Sequence, residues 1–181
     1  MNIYFNVSLA AIVVFAVSGD LTYRDYEEDD RCDAEGFYGC SYTPCYVAVD
    51  TTEQVNVVGF IIFRIPYLYD EHEVEALKDK MLDPRKEGEF GYIFRVWVDE
   101  SYRRQGIATK LLTHIIDVGH QIKNILAVGL LVHKDNEKAI ALYKKLHFVE
   151  VEERGELEYM YAYYYVPIKS GPDVLEAADR R

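Results

Sequence analysis

The chain has 181 residues, half of them apolar and 28% charged, with a formal net charge of −11. This composition supplies a packed core and argues against a disordered chain, and the length favours one domain over two. The 31 acidic against 20 basic residues argue against binding to nucleic acid or anionic lipid and suit neutral or cationic partners.

Ile3 to Val17 is strongly apolar but has no basic leading region, and its uncharged run is near the lower limit for crossing a bilayer. A buried first strand or helix in a cytoplasmic protein is the expectation, with no membrane span; a signal or anchor segment is the alternative. Carboxylates cluster from Asp25 to Asp33 around Tyr26 and read as a solvated loop, or else as a site for a cationic substrate. Cys32, Cys40 and Cys45 are odd in number and far from His72, so structural thiols or one local disulfide are expected and no metal site.

Tyr46 to Val49 and Val57 to Ile65 read as an antiparallel hairpin, the second strand stopped by Pro66. Glu71 to Leu82, with Val74, Leu77 and Met81 at helical spacing, predicts a short amphipathic helix, followed by a charged loop from Arg85 to Gly91. The whole Pro66 to Gly91 segment reads as a lid, a partner surface or an inert insertion. Tyr92 to Val98 is a third strand, and Ile107, Leu111, Leu112, Ile115 and Ile116 mark the helix after it.

Ile125 to Val132 is apolar on both faces, as a covered strand should be. Lys138 to Leu146 predicts a helix, and Phe148 to Glu153 and Leu157 to Val166 two closing strands. The polar tail is expected to fray. Together these elements make a mixed, twisted sheet with helices on both faces, an α/β (α+β) domain.

The junction between the third strand and its helix carries the chemistry. Arg103, Arg104, Gln105 and Gly106 stand between a strand end and a helix start. First-turn N–H groups have no intrahelical partner there, and the helix dipole favours an anion, so the junction reads as a pyrophosphate cradle.

At this point the sequence resembles the GNAT superfamily of N-acetyltransferases. Arg103, Gly106 and Ala108 match one family motif; Asn136, Ala139, Ile140, Leu142, Tyr143, Lys144, Lys145, Leu146 and Phe148 match a second, after an apolar strand. The resemblance implies a GNAT-like acyl-CoA N-acyltransferase fold with a splay between the two central strands, and a single acetyltransferase domain: a divergent region over 1–45, a recognisable core over 46–166 and a flexible tail over 167–181. Acetyl-CoA is the implied cofactor. Its pyrophosphate would lie on the backbone of Arg104, Gln105, Gly106, Ile107, Ala108 and Thr109, with Arg103 and Arg104 on the phosphates. Its pantetheine arm would run along Val96, Trp97 and Val98, the Trp97 side chain packing on the opposite face, with Asn136 and Ala139 beside the arm.

The resemblance further implies that the Val98 N–H polarises the thioester carbonyl and that Tyr143 hydrogen-bonds or protonates the departing thiolate. The segment from Tyr92 through Ser101-Tyr102-Arg103-Arg104 looks especially like the protein N-terminal (α-amino) acetyltransferases. In one branch of these, a tyrosine at the position of Tyr92 assists deprotonation with a histidine on the next strand. Leu131 stands at that histidine's position here, and His133, two residues on and on the same face, is the substitute candidate. His147 stands where the family usually has glycine, which predicts a helix exit without positive φ. Tyr159, Tyr161, Tyr163 and Tyr165 alternate onto one face and read as peptide recognition or edge packing. The implied reaction is direct acetyl transfer to a primary amine, most simply a protein or peptide α-amino group. A small amine such as a polyamine or amino sugar, and a non-catalytic acyl-CoA-binding protein, are the alternatives. An auxiliary protein or a homodimer are the further partners that the resemblance admits.

Overall fold

A computed structural model describes residues 21–52 and 56–169. Its strands are β1 (Leu21–Asp25), β2 (Cys45–Asp50), β3 (Asn56–Tyr67), β4 (Glu89–Val98), β5 (Ile125–His133), β6 (Val149–Arg154) and β7 (Glu158–Tyr164); its helices are α1 (Glu71–Lys80), α2 (Ile107–Gln121) and α3 (Glu137–Lys145). One sheet runs β1-β2-β3-β4-β5-β7-β6. The β4–β5 pair is parallel and all others are antiparallel. The parallel pair needs a crossover, and α2 is it.

Helices cover both faces, as expected. α2 buries Ile107, Leu111, Leu112, Ile115 and Ile116 with Tyr143 of α3 against Ile61, Ile93, Val128 and Tyr161. Each such side chain contributes roughly 2 kcal/mol by leaving water. On the other face, α1 packs Leu77 onto Phe90, Leu126, Val151 and Met160, while the 3₁₀ turn Phe37–Ser41 covers Val47, Phe60 and Ile62. β5 is buried on both sides for this reason. The far end of α2 rests on a ring: a Cβ at Gly119 would lie 2.0 Å from the Tyr165 hydroxyl.

Several expectations change. β1 stands where no strand was expected, paired along β2 from Leu21↔Asp50 to Asp25↔Tyr46. Asp30 is not a solvated loop carboxylate: its side chain is 1% exposed and is held by both terminal nitrogens of Arg24, at 2.6 and 2.8 Å. Pro66 does not stop its strand, because the register slips by one residue between Arg64 and Tyr67 and a bulge needs no N–H at that position. Glu89 to Gly91 belong to β4 rather than to a loop.

In the segment between β3 and β4, α1 is docked on the sheet and started by an Asp70–Glu73 capping box. Of the tail, Pro167 to Lys169 are tied down, since Ile168 bridges Met81 and Lys169 N–H donates to Lys80 O, and residues 170–181 lie outside the described residues. His147 takes φ 66 after all. Phe148 N–H reaches Tyr143 O and His147 N–H reaches Lys144 O, a terminator geometry that forces the left-handed residue whatever its side chain. Cys40 and Cys45 form a disulfide and Cys32 is free. The apolar stretch Ile3 to Val17 lies outside the described residues. Among the described residues no helix is long and apolar enough to cross a membrane, and no cluster of metal-ligating side chains occurs.

Candidate active site

β4 and β5 pair only from Glu89↔Ile125 to Ile93↔Leu130. Beyond that, β4 follows β3 to Val98, and β5 follows β7 to His133. The cause is local. Ile62 pairs with Arg95 and Phe63 with Ile93, so Phe94 is an extra residue that kinks β4 away from its parallel neighbour. Asp99 N–H donates to Val58 O at 2.8 Å, so strand alternation turns Trp97 and Arg95 toward β3 and aims the main-chain groups of Val96 and Val98 into the opening. The Val98 carbonyl there accepts from Arg103 Nε at 3.2 Å. Trp97 stacks on Phe60 at 5.5 Å on the other face, as its alternation predicts.

The cradle residues follow. Arg104 and Gly106 both take positive φ, 65° and 81°. Gly106 caps α2 with no side-chain bond to the first-turn N–H groups, and a Cβ on it would meet nothing within 4 Å. Ile107, Ala108 and Thr109 therefore open a 15-residue helix whose first-turn donors receive no side-chain cap. Successive main-chain donors around left-handed residues make an anion-binding concavity. Arg103 also pairs with Glu100 at 3.6 Å, while Arg104 and Gln105 are exposed.

α3 brings Tyr143 to the same place. It is 8% exposed and shares a buried cluster with Ile107 and Val132, against which Val96, Val98 and Ala139 pack. Burial alone pushes its hydroxyl up to about 12, so it stays protonated at neutral pH and can only donate or accept as a phenol. Asn136 uses its side-chain oxygen to cap α3, accepting from Ala139 N–H at 3.2 Å.

The opposite face carries a different assembly, most of which sequence reasoning missed. Tyr67, Tyr69, Tyr92, Phe90 and Phe94 pack ring to ring. Tyr67 stacks on Tyr92 at 5.0 Å, and Phe94 sets its edge to both at 5.5 and 4.9 Å. The tyrosine–x–tyrosine of residues 67–69 and the tyrosine–x–phenylalanine of residues 92–94, both at strand period, were the available signal. Tyr69 donates to Gly91 O at 2.9 Å, and a Cβ at Gly129 would lie 2.6 Å from its hydroxyl. Burial first, then the charges of Tyr67, Glu158 and Glu73 against Arg154, push the Tyr92 hydroxyl up to about 12. Arg154 binds Glu73 of α1 and Glu152 of β6, each at 3.1 Å, and so closes one side of this floor.

His133 is not brought to Tyr92. Tyr92 pairs with Gly129, and His133 lies four residues, roughly 13 Å, farther along β5. Its Nδ1 accepts from Asp135 N–H at 3.3 Å, and it lines a cavity of about 390 Å³ with Arg154, Gly155, Glu156, Leu157 and Glu158. The late tyrosines do share one face, but it is the α2 and α3 face: Tyr161 is 1% exposed there, with Tyr159, Tyr163 and Tyr165 packed around the same cluster. They do not line a groove with Tyr92. A second cavity, of about 460 Å³, lies beside the Cys40–Cys45 disulfide at the start of β2, two strands from β4.

A family model described as the acetyltransferase (GNAT) family matches residues 15–148. The chain is 36% identical over 98 residues to an N-alpha-acetyltransferase of Sulfurisphaera tokodaii, covering 54% of this chain and 53% of that protein. It is 36% identical over 55 residues to the spermidine N(1)-acetyltransferase of Escherichia coli (strain K12), 30% of either chain. The chain thus spans about half or less of the length of these curated relatives. Among solved structures, NAA60 of Arabidopsis thaliana in complex with acetyl-CoA aligns with a TM-score of 0.59 at 22% identity, over 80% of this chain and 98% of that one, a likeness of fold.

Proposed function

The chain belongs to the acetyltransferase (GNAT) family, and from that premise we propose that it moves the acetyl group of acetyl-CoA to a primary amine, the α-amino group of a protein or peptide. The observation that carries this reading is continuity: the β4–β5 opening runs directly into the uncapped first turn of α2. A diphosphate fits donors that nothing else satisfies, and an amide-rich arm fits the outward main-chain groups of Val96 and Val98.

When bound, acetyl-CoA supplies an acyl carbon activated by sulfur. The Val98 N–H stabilises negative charge on the acyl oxygen as the amine nitrogen attacks. The C–N bond forms, the C–S bond breaks, and the Tyr143 hydroxyl hydrogen-bonds the leaving sulfur. The amine proton departs on the Tyr92 side. With its own proton held so firmly, Tyr92 would orient the amine by accepting a hydrogen bond from it, and the amine would lose its proton to solvent on that side rather than to an ionised tyrosine. An α-amine, with an ordinary pKa near 8, needs less help than a lysine near 10.4, which favours the α-amino substrate. His133 serves this reading only as a residue of the outer cavity.

The cavity over Glu156, Glu158 and His133 favours a second reading, a small polycationic amine. An auxiliary subunit or a second copy of the chain stays within either reading and is tested by sedimentation. The cytoplasmic location also stays a proposal, and the Cys40–Cys45 disulfide weighs against it, since disulfides persist in oxidising compartments. The deciding experiment is CoA release from acetyl-CoA with N-terminal peptides, lysine peptides and polyamines as acceptors. Turnover confined to polyamines overturns the α-amino reading, and CoA binding without turnover on any acceptor overturns the enzyme.

A further inference from the structure

β2 ends in a carboxylate that neither its strand nor the chemistry above explains. Asp50 is 7% exposed. One of its oxygens accepts from the Thr52 N–H at 2.9 Å and the Thr52 hydroxyl at 2.7 Å; the other accepts from the Tyr102 hydroxyl at 2.6 Å, across 52 residues of chain. Tyr102 closes the 3₁₀ turn Glu100–Tyr102, and the cradle hangs from that turn. We propose that Asp50 is a positioning residue for the diphosphate cradle, acting through Tyr102 to fix the angle at which the first turn of α2 presents its donors; this rests on the acetyl-CoA reading above.

The link from Arg103 to Gly106 contains two left-handed residues, with main-chain hydrogen bonds at its two ends: Arg103 N–H to Glu100 O at 3.4 Å, and Lys110 N–H to Gly106 O at 3.0 Å. Such a link takes its shape from what anchors its two ends, the Arg103 side chain adding its bond to Val98 O at 3.2 Å. At the helix end the anchor is Ile107, 1% exposed and pressed into space that the missing side chain of Gly59 leaves, where a Cβ would lie 2.8 Å from it. At the turn end, Asp99 holds Ser101 within the turn and donates to Val58 O, which fixes where the turn begins. The Tyr102–Asp50 bond fixes where it ends, on a different strand.

A carboxylate beside an anion site is unfavourable in itself. Here its charge is satisfied by three donors, and the Tyr102 hydroxyl bond first, then those of Thr52, holds it below the usual carboxylate range. The ring of Tyr102 packs on the main core, so Tyr102→Phe removes the hydroxyl while keeping the packing.

The test compares two acetyl donors, acetyl-CoA and acetyl-pantetheine, which carries the same thioester without diphosphate or nucleotide. In Tyr102→Phe and Asp50→Ala, the Kd for CoA, measured by calorimetry, is expected to rise roughly tenfold or more, the scale of a lost charged hydrogen bond. The rate with acetyl-pantetheine is expected to stay at the wild-type value, and Asp50→Asn, which keeps an acceptor oxygen, to recover most of the affinity. A merely structural role lowers both donors alike, and that outcome overturns the proposal, as does an unchanged Kd in both variants. A wild-type chain that binds no CoA removes the acetyl-CoA reading itself and the latch with it, a result read before any variant is made.

Discussion

The two faces of the sheet present different kinds of chemistry. On the α2 side the proposed recognition groups are main chain: the outward edges of Val96 and Val98 and the first-turn donors of α2, placed by a bulge and two left-handed residues. On the α1 side they are side chains, Tyr67, Tyr92 and Phe94, floored by Tyr69 and flanked by Arg154. A main-chain site tolerates change in most of the residues that form it, because every residue supplies the same N–H. A side-chain site is set by the identity of each ring.

The sharpest probe of that contrast is the one side chain on the main-chain face asked to do chemistry. Tyr143→Phe is expected to lower kcat by roughly a hundredfold, the lower range for a positioned proton donor, with little change in the KM for acetyl-CoA. An unchanged kcat would leave that face purely main chain. Gly129→Val tests the other face: its side chain displaces the Tyr69 hydroxyl. A cost of about 2 kcal/mol in urea unfolding is expected from the overpacking. The acceptor KM should rise while the Kd for CoA stays put; if the CoA affinity falls equally, the faces are not independent.

Tyr92→Phe is expected to slow transfer roughly tenfold below the acceptor's pKa near 8, the deficit closing at higher pH. The sign follows from the amine, which must shed an extra proton before it can attack only below its pKa, while the Tyr92 hydroxyl remains neutral up to about 12. A deficit that is flat with pH removes Tyr92 from the proton path. The smallest effect belongs outside both faces: His147→Gly relieves a left-handed side chain and is expected to stabilise by about 1 kcal/mol without touching either substrate. A loss of stability there would mean that the imidazole itself packs or bonds.

The same contrast decides what was legible beforehand. The glycine turn at Gly106, α2 and the doubly covered β5 were readable because periodicity and glycine placement report on main-chain geometry. The bulge at Phe94 was not, since an extra residue in a strand leaves the alternation around it nearly intact. β1 escaped because five residues running into a carboxylate cluster look solvated until the Arg24–Asp30 pair is seen. Pro66 misled because a missing N–H ends a ladder only where the ladder needs that donor. His147 misled because a terminator sets φ through its hydrogen bonds, not through the residue type. The aromatic floor joins residues 67–69 to residues 92–94, and only the fold brings those two stretches together.

α2 is loaded like a strut. Its first turn faces the proposed diphosphate site, and its thirteenth residue, Gly119, bears on the ring of Tyr165, roughly 18 Å away at the usual helical rise. A rigid rod pressed this tightly against the sheet near one end cannot tilt there without moving its tip. A single added methyl at the seat should therefore be felt at the tip, as weaker CoA binding in calorimetry from a position that touches no substrate.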